Sequence, residues 1–142
     1  MRNCNDICIS IALLADLSIC SGANLWLMTA PALPYSPSFK AGDLVFISGQ
    51  IGQVGSTLVE GGFEVEVVQG FENFKSVLES NNLDVTNVVK TTVFLTDMAD
   101  FPIMNTLYAE FFGSHLPARS TVAVKELPRG ANFEIEAVAY AG

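Results

Sequence analysis

"VTNVVKTTVFLTDMADFPIMNTLYAEFFG" (Val85–Gly113) changes its period halfway along, and that change decides the fold. Val85 to Leu95 is β-branched almost throughout, the composition of a strand. After "TDMADFP", the apolar residues Ile103, Met104, Leu107, Tyr108, Phe111 and Phe112 fall three and four apart, one stripe of a helix. Asp100 stands where a helix wants its N-cap. Pro102 follows in the first turn, where a missing amide hydrogen costs nothing, and Gly113 stops the helix.

The same two periods recur on either side. Upstream, Glu64 to Ser80 carries Val67, Val68, Phe71, Phe74, Val77 and Leu78 at helical spacing. Gly70 interrupts that stripe at a cost of about 1 kcal/mol in propensity. "NNLD" reads as the helix exit and a loop. Before it, "LVFIS" from Leu44 is a buried strand closed by Gly49, "GQVGST" a turn, and "TLVE" a short strand ended by Gly61 and Gly62. Downstream, Ser120 to Val124 and Phe133 to Tyr140 read as two more strands. The leader "TAPALPYSPSF" is extended, because Pro31, Pro34 and Pro37 exclude a helix, and it is able to add a strand.

The order β-β-α-β-α-β-β describes an α+β domain: a mixed sheet with both helices on one face, where one layer buries both apolar stripes. The other sheet face is neither purely polar nor purely apolar. In "NFEIEAVAY", Phe133, Ile135 and Ala137 alternate with Glu134, Glu136 and Val138; in "VVKTTVF", Lys90 and Thr92 stand among Val89, Thr91 and Val93. Such a face fits half-burial against another subunit, so an oligomer is expected.

Composition narrows the function classes. The chain has 142 residues, half of them hydrophobic, enough for one domain with a core. Seven basic against fifteen acidic residues give a net charge of −8, which disfavours a phosphate backbone as partner. All three cysteines (Cys4, Cys8, Cys20) lie in residues 1–27, so residues 28–142 need no disulfide and offer no thiol nucleophile. No histidine or second pair completes Cys4 and Cys8 as a metal site. Residues 1–27 read as an extension that is poorly ordered, lies upstream of a working start at Met28, targets the chain, or packs on it. Asp6 and Asp16 spoil a secretory signal, and Asp16 makes a membrane span expensive.

Few residues invite chemistry. Arg119, just after Pro117 and ahead of a strand, presents a planar fork of donors suited to a carboxylate, or simply a salt bridge. Glu134 and Glu136 share one face of their strand, so their repulsion can raise one pKa toward proton transfer. Equally, Lys90, Lys125, Arg129 or water can answer them. His115 is the single histidine, in a loop, and no triad is supported. "SGQIGQVG" has the wrong spacing for a dinucleotide fingerprint, and "GSTL" lacks the lysine of a P-loop.

Six runs nevertheless fall in a familiar order: "PYS" at Pro34–Ser36, "AGDLVFISGQIG" at Ala41–Gly52, "VVKTTVFLTDMADF" at Val88–Phe101, "MNTLYAEFF" at Met104–Phe112, "PARSTVAV" at Pro117–Val124 and "LPRGANFEIEAVA" at Leu127–Ala139. From Thr29 to Gly142 the chain strongly resembles the reactive intermediate deaminases, small enzymes that hydrolyse 2-iminobutanoate and 2-iminopropanoate to 2-oxo acids and ammonia. The resemblance implies a chorismate-mutase-like domain over residues 28–142, assembled as a homotrimer with clefts between subunits and working without a cofactor or metal. It implies that Arg119 binds the substrate carboxylate and Glu134 the hydrolytic water. Tyr35, Ser48, Gly49, Asn105 and Thr121 would line the cleft, drawn from two neighbouring subunits. It also implies a cytoplasmic protein that binds small imino acids, with organellar targeting by the extension left open. A trimer binding small carboxylates without catalysis, or acting as a translation inhibitor or chaperone, is the alternative within the family; RNA cleavage fits poorly with the acidic charge.

The chain departs from the family pattern in places. "GPYSQ" becomes "LPYSP", with Leu33 for a glycine and Pro37 for a glutamine. Thr121 stands where many relatives have a cysteine, and the turn at "GQVGSTLVE" is about two residues shorter. Pro37 lacks an amide hydrogen, so the leader is expected to pair differently there.

Overall fold

The computed structural model describes residues 34–142; the extension over residues 1–27 and Leu33 lie outside them. β1 (Ser38–Ala41) turns at Gly42 into β2 (Leu44–Ile51), and a small hairpin of β3 (Gln53–Val54) and β4 (Thr57–Leu58) leads to α1 (Phe63–Ser80). β5 (Val88–Leu95), α2 (Phe101–Phe112), β6 (Ala118–Ala123) and β7 (Phe133–Tyr140) follow. The main sheet has the order β1-β2-β7-β5-β6. All its pairs are antiparallel except β5 with β6, the two strands joined through α2. A mixed sheet backed by two helices is therefore present, and the leader does supply a strand.

One parity of the sheet faces the helices. Val45, Ile47, Val93, Leu95, Phe133 and Ile135 are buried there against Phe71, Phe74 and Leu78 of α1 and Met104 and Phe112 of α2. Phe71 and Phe111 stack at 4.6 Å and bind the two helices to each other. Gly70, unfavourable for a helix, is explained by packing. A Cβ there would stand 2.8 Å from the Phe133 ring, so the glycine lets α1 lie directly on β7.

Some boundaries differ from the sequence reading, each for a local reason. Val85–Asn87 is a 3-10 turn rather than strand, because Asp84 accepts the Thr86 N–H at 2.7 Å and Asn87 closes a reciprocal cap. A second 3-10 turn, Met98–Asp100, precedes α2; Asp97 caps it through the Ala99 N–H at 2.8 Å, while the Asp100 side chain caps nothing. β6 begins at Ala118, so Arg119 lies within the strand rather than ahead of it. Pro37 precedes β1 and costs no rung: its carbonyl accepts the Ser48 N–H at 3.0 Å, and pairing starts at Ser38 with Ile47. Among the described residues no helix is long and apolar enough to cross a membrane.

Candidate functional site

Two clusters of polar groups stand on opposite faces of the sheet. The first is built on β6 and α2. Arg119 is paired in register with buried Thr91, so its side chain leaves the sheet on the helix side. There the guanidinium lies over the Tyr108 ring, 4.4 Å from its centroid, with the Phe101 ring at 5.8 Å. Its Nη2 donates to Asn105 Oδ1 at 2.7 Å. Tyr108 and Asn105 sit three apart on α2, so one helix turn supplies both the platform and the edge contact. Tyr108 is itself fixed by a 2.8 Å hydrogen bond between its hydroxyl and that of Thr91. Burial pushes the Tyr108 hydroxyl pKa up and keeps it protonated.

The consequence is a cation oriented before any ligand arrives. Stacking on an aromatic face and one amide contact leave part of the guanidinium fork free for a carboxylate. Within the chain Arg119 forms no ion pair: the one among the described residues is Lys75–Glu79. Beside Arg119 lies a cavity of about 310 Å³ lined by Asn105, Tyr108, Ala109, Phe112, Leu116 and Pro117. Thr121, two residues on from Arg119 and on the same side of β6, has a buried hydroxyl without a hydrogen-bond partner.

The second cluster is built on β7 and β2. Glu134 pairs with Ile51 on one side and Phe94 on the other, and its carboxyl leaves on the face away from the helices. It rests against Gly49, where an added Cβ would overlap Oε1 and stand 2.7 Å from Cδ. A register shift between Ile47 and Gln50 creates that niche by taking Ser48 and Gly49 out of regular pairing. Ser48 ties the leader down as well, donating its hydroxyl to the Ser36 carbonyl at 2.7 Å, which holds Tyr35 at this end of β2. Tyr35 is 57% exposed.

Burial pushes the Glu134 carboxyl above the usual carboxylate range, and the charge of Glu136 adds to the rise. The cations considered as partners for these glutamates are engaged elsewhere or form no ion pair. Lys90 Nζ donates to Ser120 Oγ and the Thr91 carbonyl, and Arg129 to the Ser56 carbonyl. On this open face a second cavity, of about 280 Å³, is lined by Phe39, Phe46, Ser48, Lys90, Thr92 and Glu136. Phe39, Phe46 and Val122 project from the same face at 68%, 45% and 43% exposure, more apolar surface than a free sheet face should leave in water.

Within one chain the fold thus brings Arg119 to Asn105, with Thr121 on the same side of its strand, and Glu134 to Gly49 beside Ser48, but keeps the two groups on opposite sides of the sheet. Tyr108 and Phe101 were missed as neighbours of Arg119 by the sequence reading, which placed Tyr108 only in the helical stripe. A tyrosine among phenylalanines was the available signal, since a buried hydroxyl needs a partner. His115 takes a structural place, its Nε2 lying 2.7 Å from the Val88 carbonyl oxygen. No group of three or more metal-ligating side chains occurs among the described residues.

The chain matches the family model described as Endoribonuclease L-PSP over residues 27–141. A RutC family protein of Pyrococcus horikoshii is 45% identical over 112 residues, 78% of this chain and 89% of that protein. The human 2-iminobutanoate/2-iminopropanoate deaminase is 44% identical over 111 residues, 77% of this chain and 81% of that enzyme. The crystal structure of yeast Mmf1 superposes with a TM-score of 0.75 at 38% identity, covering 78% of this chain and 90% of that one. With a family match over residues 27–141 and relatives above 40% identical, the chain belongs to the Endoribonuclease L-PSP family, the group that contains the reactive intermediate deaminases.

Proposed function

We propose that this protein is a hydrolytic deaminase that converts 2-iminobutanoate and 2-iminopropanoate to 2-oxo acids and ammonia, working as a homotrimer. The observation that carries the reading is the pairing of an oriented arginine with a raised carboxyl on opposite faces of one sheet. A ligand held by Arg119 of one copy can meet Glu134 only of a neighbouring copy. The apolar open face supports that arrangement, because a neighbour would cover it. The active unit on this reading is the intersubunit cleft.

The chemistry follows from the groups. A 2-imino acid carries a carboxylate next to an electrophilic carbon. Arg119 takes the carboxylate through two parallel N–H bonds, and the Tyr108 face and Asn105 set the angle of the guanidinium, so C2 is held in a fixed place. The neighbour's Glu134 holds a water and takes one of its protons as the oxygen adds to C2, while the imine nitrogen gains a proton. The resulting carbinolamine collapses: its hydroxyl proton passes by way of Glu134 to the amine, the C–N bond breaks, ammonia leaves and C=O forms. A carboxyl with a pKa above its ordinary value is better matched to giving and taking that proton near neutrality. Thr121, Ser48, Gly49 and Tyr35 line the cleft on this reading, and Thr121 brings its unpaired hydroxyl to the arginine side.

The test generates the imino acids in situ from threonine and serine with a dehydratase and lets semicarbazide compete for them. Wild type should lower the semicarbazone yield, and R119A and E134A should not. Activity retained in R119A would sink the carboxylate clamp and leave a non-catalytic binding role as the reading to pursue.

A further inference from the structure

Glu66 is a buried carboxylate that none of these steps uses. It lies near the start of α1, 5% exposed, and reaches across to the segment that opens β7. Its Oε1 accepts the N–H of Asn132 at 2.6 Å and of Phe133 at 3.1 Å, and its Oε2 accepts Asn132 Nδ2 at 3.1 Å. Three donors answer a charge that would otherwise be costly to bury. Asn132 is held from its other side too, by the Thr96 N–H on its carbonyl at 3.2 Å and the Thr96 hydroxyl on its Oδ1 at 3.0 Å. Gly52, just past the rung that joins Ile51 to Glu134, packs on Glu66 so closely that a Cβ would stand 2.7 Å from Cγ. The start of α1, the start of β7 and the end of β2 therefore converge on one side chain, and the end of β5 is tied to it through Asn132.

Their convergence matters because of what comes next in the chain. β7 alternates, with Phe133 and Ile135 buried and Glu134 between them on the open face. A slip of one residue would send Glu134 under the helices. The two main-chain bonds from Glu66 fix the phase of the strand immediately before Glu134. We propose that Glu66 is a positioning residue for the reaction: its carboxylate sets the phase and depth at which β7 presents Glu134 against Gly49. This rests on the role proposed for Glu134.

A merely structural Glu66 would change stability alone; a positioning Glu66 changes how the surviving enzyme works. Arg119, Asn105 and Tyr108 share no bond with Glu66, so substrate binding through the carboxylate should persist. Facing Glu134 are Glu136 on its own strand, Gly49 on β2 and Phe94, its partner on β5; Lys90 lies farther along the sheet, opposite Val138. A Glu134 released from Gly49 gains water, and the acidic limb of its pH profile should move to lower pH.

The experiment measures kcat, KM, the pH profile and Tm for the full chain carrying Glu66→Gln, Glu66→Ala or Asn132→Ala, beside R119A and E134A. Glu66→Gln keeps an acceptor for the two N–H groups but turns an NH2 toward Asn132 Nδ2. Its kcat should fall about tenfold and that of Glu66→Ala about a hundredfold, with the limb shifted down. KM should stay within about twofold. Asn132→Ala keeps both main-chain bonds and should fall between wild type and Glu66→Ala. If Glu66→Ala does not fold, the other two variants carry the comparison. Wild-type kcat and an unmoved limb per folded protein in the variants, with E134A inactive, overturn the positioning role alone. An active E134A overturns this proposal and the role of Glu134 together.

Discussion

Gly49→Ala separates folding from function more sharply than any substitution of a charged residue. The backbone at Gly49 is not left-handed, so alanine is tolerated there conformationally. What its Cβ meets is the end of Glu134: it would overlap Oε1 and stand 2.7 Å from Cδ and 3.1 Å from Cγ, where ordinary contact begins at 3.4 Å. The obstacle is the tip of a flexible, half-buried side chain, so the fold can yield by turning that side chain toward an off-rotamer angle, at about 1 kcal/mol. The carboxyl itself must retreat by roughly 1 Å or more, and misplacing a reacting group by that distance costs about a hundredfold in rate. Gly49→Ala should therefore keep the circular dichroism of wild type and lose only a few degrees of Tm, while kcat for imine hydrolysis falls about a hundredfold. KM should change little, because Arg119 is on another face. Wild-type kcat in this variant would show that the contact between Gly49 and Glu134 does not place the water, and the account of that cluster would have to be abandoned.

Two further outcomes follow from packing and from charge. Gly70→Ala gains about 1 kcal/mol of helix propensity but drives a methyl into the Phe133 ring at 2.8 Å. Overpacking beneath a fully buried ring costs about 1–3 kcal/mol, so urea unfolding should show a net loss of stability, and a gain would refute the close packing of α1 on β7. Glu134 has its folded pKa raised by burial, so the native state holds that proton more tightly than the unfolded chain. Stability therefore falls as pH rises from the ordinary value of 4.5 through the raised one, and is flat above it. Glu134→Gln should unfold at a higher temperature than wild type at neutral pH and converge with it in acid; a constant difference across pH would contradict the assignment.

The sequence disclosed most of the architecture because the periods were clean. The alternation in β7 and the three-and-four spacing of α1 and α2 each bury one face, and burial is what periodicity reports. Boundaries were less legible, since they depend on individual caps: Asp84 and Asp97 each capture a main-chain N–H and tighten a turn where the composition still looked extended or helical. The candidate site was legible only in pieces. Residue chemistry singled out Arg119 and the alternating pair Glu134 and Glu136, and only resemblance gave Arg119 and Glu134 their roles. That Arg119 would stack on Tyr108 depends on which turn of α2 passes over β6, and no local pattern carries that. Glu66 reads in sequence as one more acid in a helix, a place usually given to water. Its burial follows from partners more than sixty residues away.

The strand order has a consequence for how the molecule is made. β2 and β5 have no rung in common, and each is joined to the other only through β7. The stretch from β1 to α1 and the stretch from β5 to β6 are consequently two halves that a ribosome can produce, and that can begin to collapse, before the strand that unites them exists. Until β7 arrives, each half presents an unpaired edge beside exposed valines and phenylalanines, the condition in which chains stick to one another. The last strand to be synthesised is thus the keystone of the sheet and the bearer of Glu134. Completion of the fold and delivery of the carboxyl become a single late event, and a nascent or truncated chain lacking those residues has neither.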